Sequence, residues 1–284
     1  MISKNLKNYL KVKDNSVSKE TFELLYDEDL DLLITSPQPD ENNLRRYYES
    51  EDYISHTDGK RSVFEKAYHF IKNIALKNKL SLINDLQKSK GKLLDIGAGT
   101  GDFLLVAKND GWNAIGIEPS EKANAIAQRK GVELKSNLSD FEDNSFDIIT
   151  MWHVLEHVPN LENQIKELKR LIKPTGSIII AVPNFKSFDA NYYKEFWAAF
   201  DVPRHLWHFS KTAIKKLFEK EDLQLVKILP MKFDSFYVSL LSEKYKTGKM
   251  NYVKAFTIGL KSNLKAKKNF EYSSHIYILK NVIN

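Results

Sequence analysis

Cysteine is absent from the 284 residues. That excludes disulfides, thiolate catalysis and any cysteine-ligated zinc or iron–sulfur site, and it accords with a reducing, cytoplasmic setting. Long apolar runs are missing as well. No stretch reaches the roughly 18 residues of a membrane-spanning helix, and the opening MISKNLKNYLKVKDN lacks the continuous apolar core of a signal peptide. The expectation is a soluble cytoplasmic protein. Acids vanish from one region: Lys244 to Lys268 holds eight lysines and no Asp or Glu, within a chain of net charge +6. Such a cluster suits a solvated helix face, and equally an anionic substrate, a peripheral membrane contact or RNA. What is present, 42% hydrophobic and 28% charged residues, is enough for one large domain or one domain with an appended piece.

Residues 1–60 show no clear period, and the expectation there is a helical N-terminal extension; residues 61–284 form the main domain. From Phe64 to Ile83 the apolar positions Phe64, Ala67, Tyr68, Ile71, Ala75 and Ile83 follow helical spacing. Strands and helices then alternate. KLLDI, NAIGIE, VELK, FDIITM and SIIIAVP read as strands; GDFLLVAKND, SEKANAIAQRK and NLENQIKELKRLI read as the helices between them. Uniformly apolar strands separated by amphipathic helices indicate a parallel sheet covered on both faces. An aromatic connection, 184–210, follows the fifth of these strands. LQLVKILPM and SHIYILK read as two more strands, with an insertion at 234–273 between them.

Three of the eleven glycines fall on alternate positions, in LLDIGAGTGD (93–102). A phosphate-binding P-loop needs Lys-Ser or Lys-Thr after its last glycine; Asp102 and Phe103 stand there instead. A dinucleotide turn wants a third glycine where this chain has Asp102, and a carboxylate repels a pyrophosphate. Asp95 precedes the turn at the carboxyl end of its strand. Two acids around a glycine turn suit a positively charged ligand. S-adenosylmethionine carries an ammonium and a sulfonium and no phosphate, so the charge argument selects it. Glu118, ending the next strand in GIEPS, is placed to accept hydrogen bonds from ribose hydroxyls.

With LLDIGAGTG, GIEPS, SFDIITMWHVLEHVPN and LKRLIKPTGSIIIAVPN in this order, the sequence resembles the class I S-adenosylmethionine-dependent methyltransferases. VLEHVPN is typical of the bacterial branch that contains quinone-biosynthesis O-methyltransferases and sugar and natural-product methyltransferases. The resemblance covers about residues 90–230 and 274–281. It implies an α/β, Rossmann-like seven-stranded sheet with helices on both faces and an antiparallel last strand. It places Asp95, Gly97, Gly99 and Gly101 on the methionine side of the cofactor, Glu118 on the ribose, Asn137 and Leu138 at the adenine, and Trp152 and His153 beside it. Tyr47 to His56 (YYESEDYISH) resembles a subgroup that carries a paired-cysteine zinc knuckle just upstream. Asp27 and Leu30 stand in those places, so the resemblance implies a degenerate knuckle and no metal.

Methyl transfer needs a base only where the nucleophile must lose a proton. The candidates are His205, His157 and His153. Glu156 lies among them, and Asp201, Arg204 and His208 lie in DVPRHLWHFS after the fifth parallel strand. Their spacing matches no recognised metal motif. Tyr193, Trp197, Arg204 and His208 are expected in a substrate lid over 184–210, with Tyr47, Tyr48 and Tyr53 closing from the N-terminal side. The expected activity is transfer of a methyl group to an oxygen or nitrogen of a small or lipid- or sugar-linked molecule. An RNA methyltransferase, favoured by charge alone, and a non-catalytic cofactor- or partner-binding protein on the same fold are the rivals. Nucleic acid is the less expected partner.

Overall fold

Residues 21–25 bury alternate side chains, whereas 93–96 and 177–182 bury every one, and the two patterns fall in two separate sheets. The computed structural model describes residues 5–40, 43, 45–47 and 63–282, with backbone only at 45 and 63–70. The expected lid residues Tyr48 and Tyr53 lie outside the described residues.

Among the described residues, the stretch from 6 to 36 is strand where a helical extension was expected. It is an antiparallel meander of β1 (Leu6–Lys13), β2 (Thr21–Asp27) and β3 (Leu32–Ser36). Phe22 and Leu24 point inward from β2, and the whole of Leu32–Ile34 is buried. Phe22 and Leu24 follow a two-residue period and Leu32–Ile34 form a short apolar run, both too brief to stand out beside the polar turns around them. Carboxylates hold the turns. Asp14 accepts from the amides of Ser16, Val17 and Ser18 at 3.0, 3.1 and 2.7 Å. Asp27 accepts from the Leu30 amide at 3.0 Å, so the two residues standing at the knuckle positions close a turn between themselves.

After helix α1 (Val63–Leu86), the alternating segment runs β4 (Lys92–Ile96), α2 (Asp102–Asn109), β5 (Asn113–Ile117), α3 (Glu121–Arg129), β6 (Glu133–Lys135), β7 (Phe146–Trp152), α4 (Leu161–Leu171) and β8 (Ile172–Pro183). The aromatic connection contains α5 (Phe188–Tyr193) and β9 (Trp207–His208). Then follow α6 (Lys211–Glu219), β10 (Leu223–Pro230), α7 (Asp234–Thr247), α8 (Tyr252–Asn269) and β11 (Ser274–Asn281). The large sheet has the order β10-β11-β8-β7-β4-β5-β6; β11 runs antiparallel to both neighbours, and the pairs from β8 through β6 are parallel. One face is covered by α4 and α6 through Ile165, Leu168, Ile214 and Leu217, the other by α1 and α2 through Ile83, Phe103 and Ala107. The seven-stranded, doubly covered sheet is thus the one the strand pattern implied, and the insertion between its last two strands is the helix pair α7–α8.

The small sheet is completed from far along the chain. β9 pairs with β3, aligning Leu33 with His208 and Ile34 with Trp207. The connection 184–210 is therefore the fourth strand of the N-terminal sheet as well as the exit from β8.

Candidate active site at the carboxyl ends of the parallel strands

β4 delivers its backbone into a turn that only glycine tolerates. Gly97, Gly99 and Gly101 have φ of 71°, 55° and 75°. A Cβ on Gly97 would meet Val154 Cγ2 at 2.4 Å, whereas nothing lies within 4 Å of one on Gly99. The first glycine is needed for packing beneath the turn, and the second faces open space where a ligand's backbone approach is possible.

Two carboxylates flank this turn in different ways. Glu118 accepts from the Gly99 amide and from the Ser120 amide, each at 2.8 Å, and so ties the end of β5 to the turn. Asp95 is 3% exposed and accepts from Thr150 Oγ1 of the neighbouring strand at 2.5 Å. Burial pushes its pKa up to about 6, against the pull of Thr150 and Lys79. Asp102 does not share that role. It is ion-paired to Lys72 and Lys130 at 2.7 Å each, and these cations overcome its burial and hold its pKa at about 2. The negative charge assigned to Asp102 from sequence is thus neutralised within the protein, and Asp95 with Glu118 carries the charge at the turn.

Beyond Glu118 a groove of about 540 Å³ is lined by Ile117, Asn137, Leu138, Gln164 and Arg170 among others. Gln164 Nε2 is buried there without a partner. An adenine edge, rich in acceptor nitrogens, matches that donor, and Asn137 and Leu138, the residues expected at the adenine, line the same groove. The residues present therefore fit S-adenosylmethionine from its methionine end, at Asp95, to its base.

On the other side of the turn, Trp152 packs edge-on against Phe103 with centroids 5.8 Å apart, and Lys79 Nζ lies 4.4 Å over its ring. Burial lowers the pKa of Lys79, while Asp95 and Asp234 raise it. The sequence reading missed Lys79. The available signal was its position on the sheet-facing stripe of α1, with Leu76, Leu80 and Ile83.

His153 has φ of 58° and is gripped at both ring nitrogens, Nδ1 by Glu156 at 3.3 Å and Nε2 by Asp234 at 3.2 Å. Burial alone would lower its pKa; the hydrogen bonds to Asp234 and Glu156 outweigh that and push it up to about 10. An imidazolium so held has no lone pair to receive a proton. His157 and His205 differ. Their rings meet edge to face at 4.5 Å. His157 Nδ1 donates to the Arg204 carbonyl at 3.0 Å, and His205 Nδ1 to the Ala199 carbonyl at 2.9 Å. Each carbonyl requires the proton on Nδ1, and His205 Nε2 stands 4.0 Å from Asp201 Oδ2. Burial, followed by the nearby His205, pushes the His157 pKa down to about 4. Glu156 is fully buried and its Oε2 has no partner. Side-chain ligand atoms of Glu156, His157 and His205 lie within 4.8 Å of one another, a donor set able to hold a proton or a divalent ion.

The remaining lid candidates are packed inside. Tyr193 and Trp197 are 1% exposed, donating to Glu243 Oε1 at 3.1 Å and Asp189 Oδ2 at 2.8 Å. His208 Nε2 lies 3.0 Å from Thr35 Oγ1 on β3. The Arg204 guanidinium is heavily engaged: Nε and Nη2 donate to Asp201 at 2.9 and 2.6 Å, Nη1 donates to the Tyr47 carbonyl at 2.9 Å, and Nη2 also reaches Asp14 and Ser16. Arg204 is thus a strut between the lid and the N-terminal sheet.

Comparison with known proteins agrees with this geometry. A family described as a methyltransferase domain matches residues 65–228, more than half of the chain. An uncharacterized protein of Methanocaldococcus jannaschii is 34% identical over 109 residues, 37% of this chain and 51% of that protein. The ubiquinone biosynthesis O-methyltransferase of Actinobacillus pleuropneumoniae is 33% identical over 131 residues, 40% of this chain and 56% of the relative. The chain thus spans about half the length of these two curated relatives. Among solved structures, geranyl diphosphate C-methyltransferase from Streptomyces coelicolor, in complex with S-adenosyl-L-homocysteine, superimposes with a TM-score of 0.56 at 14% identity, over 85% of this chain and 97% of that one.

Proposed function

This chain belongs to the S-adenosylmethionine-dependent methyltransferase family, and we propose that it moves the methyl group to an oxygen or nitrogen of a small or lipid- or sugar-linked acceptor, with His157 and His205 taking the acceptor's proton. The observation that carries the reading is the pair of imidazoles beside buried Glu156, each with Nδ1 committed to a backbone carbonyl. The quinone-biosynthesis relative, an O-methyltransferase by name, supports oxygen.

Bound between Asp95 and the Asn137–Leu138 groove, the cofactor supplies a carbon already activated by its sulfonium, so the protein's work is orientation and exclusion of water. In this reading Asp95 faces the methionine ammonium, Glu118 accepts from the ribose hydroxyls, and Trp152 walls the site. His153, an imidazolium between Glu156 and Asp234, fixes the loop after β7 and so positions His157. With its pKa pushed down to about 4, His157 is neutral at physiological pH. The proton it receives is stabilised by Glu156, whose buried Oε2 lacks a partner.

Purified protein screened against quinone precursors, sugar nucleotides and lipid intermediates identifies the acceptor. With that acceptor, His157→Ala and His205→Ala are each expected to lower kcat by about a hundredfold or more while leaving cofactor affinity within about twofold. A chelator is expected to leave the rate unchanged. Full activity in both variants would end the proton-transfer assignment, and loss of activity with EDTA would turn the same three side chains into a metal site.

A further inference from the structure

Residues 234–269, the α7–α8 hairpin, lie beyond the segment matched by the methyltransferase family. One face of α8 has an evident purpose: Ala255, Ile258, Ser262 and Ala266 are buried against the rest of the fold. The opposite face is apolar without being covered. Val253, Phe256, Leu260 and Leu264 are 78, 59, 42 and 51% exposed, and their spacing of three, four and four residues keeps them on one side of the helix. The strip continues across the hairpin. Phe256 stacks on Phe236 with centroids 5.3 Å apart, and Phe233 and Tyr237 stand 53 and 50% exposed beside it. No core requirement explains a contiguous patch of this kind.

Along α8 its flank is of a single sign. Lys254, Lys261, Lys265 and Lys268 are exposed along one flank of the strip on α8, Lys267 lies within it, and no acid occurs from 244 to 268. A second copy of the chain is a poor occupant, because a self-complementary contact would set one lysine cluster against another. RNA would use the lysines and leave the aliphatic strip wet. An anionic bilayer takes both: acyl chains accept the strip and headgroups meet the rim.

We infer that the α7–α8 hairpin seats the protein on an anionic membrane surface. The position of the hairpin gives this a use that rests on the proposed methyl transfer. Asp234, the first residue of α7, holds His153 at the rim of the site, so an acceptor carried on a lipid tail would reach the histidine pair from the bilayer side.

The test is sedimentation of the full chain with vesicles, which requires no turnover and stands whether or not the acceptor reading survives. Vesicles of phosphatidylcholine mixed with phosphatidylglycerol are expected to bind the protein, and pure phosphatidylcholine to bind it at least about tenfold more weakly. Phe256→Glu with Leu260→Glu, and separately Lys254→Glu with Lys268→Glu, are each expected to cut binding to the anionic vesicles by about tenfold or more. Melting temperature and S-adenosylmethionine affinity should not change. Absence of binding to the anionic vesicles, or unchanged binding by both double variants, overturns the inference. So does a dimer that dissociates on Phe256→Glu with Leu260→Glu, or salt-sensitive binding to an RNA oligonucleotide without vesicle binding.

Discussion

Asp95 and Asp102 are acids on either side of one glycine turn, and their surroundings give them opposite characters. Lys72 and Lys130 neutralise Asp102, whereas Asp95 is buried with Thr150 and titrates at about 6. The identity of both acids was legible in LLDIGAGTGD; their charge state was not, because Lys72 comes from a helix 30 residues upstream and Lys130 from the end of α3. If ionised Asp95 receives the methionine ammonium, cofactor affinity should fall as pH drops below about 6. Isothermal calorimetry from pH 8 to about 5 checks this, and a flat profile would remove Asp95 from the contact. Glu118 was equally readable as the acid at the end of β5. Glu118→Ala removes a charged acceptor from the Gly99 amide as well as from the ribose. It is expected to weaken binding by about 1.5–3 kcal/mol, on the order of ten- to a hundredfold. Unchanged affinity would place the ribose elsewhere.

At the level of elements, the alternating strands and helices from β4 to β8 were visible because apolar runs and capping residues recur. Ser120 does accept from the Ala123 amide to start α3. The N-terminal meander is not legible in the sequence, because its partner β9 is two residues long and distant along the chain. Its anchorage is specific. Arg204 crosses from the lid to Asp14, Ser16 and the Tyr47 carbonyl, and its side chain is 7% exposed. Replacing it with alanine strips the guanidinium from buried Asp14 and leaves that carboxylate only its bonds to the 16–18 turn, at a cost of about 2–3 kcal/mol. Faster hydrogen exchange in β1–β3 than in β4–β8 is the expected signature. Uniform acceleration in both sheets would show instead that they unfold as one unit.

For the molecule as a whole, stability should peak near neutral pH. His157, His208 and His275 are pushed below the ordinary 6.5 by burial. Their contribution is complete above 6.5 and declines as pH falls below it, toward about 4 for His157 and His275, because the unfolded chain binds protons that the folded chain refuses. For His157 the span from 6.5 to about 4 is on the order of 3 kcal/mol. Asp95 opposes this between about 4 and 6, one group against three. His153 has the reverse sign: with a folded value of about 10, its contribution is full below 6.5 and fades as pH rises toward 10. Thermal melts across pH 4–10 should therefore give a dome, and a melting temperature still rising at pH 5 or below would contradict it. The shared lid also has a consequence in time. Thr35 on β3 bonds the carbonyl of His205, 170 residues later in the chain. At a synthesis rate of about 5–20 residues per second, the meander leaves the ribosome roughly 10–30 s before the strand that completes it. Throughout that interval the apolar edge of β3 is open to any other nascent chain.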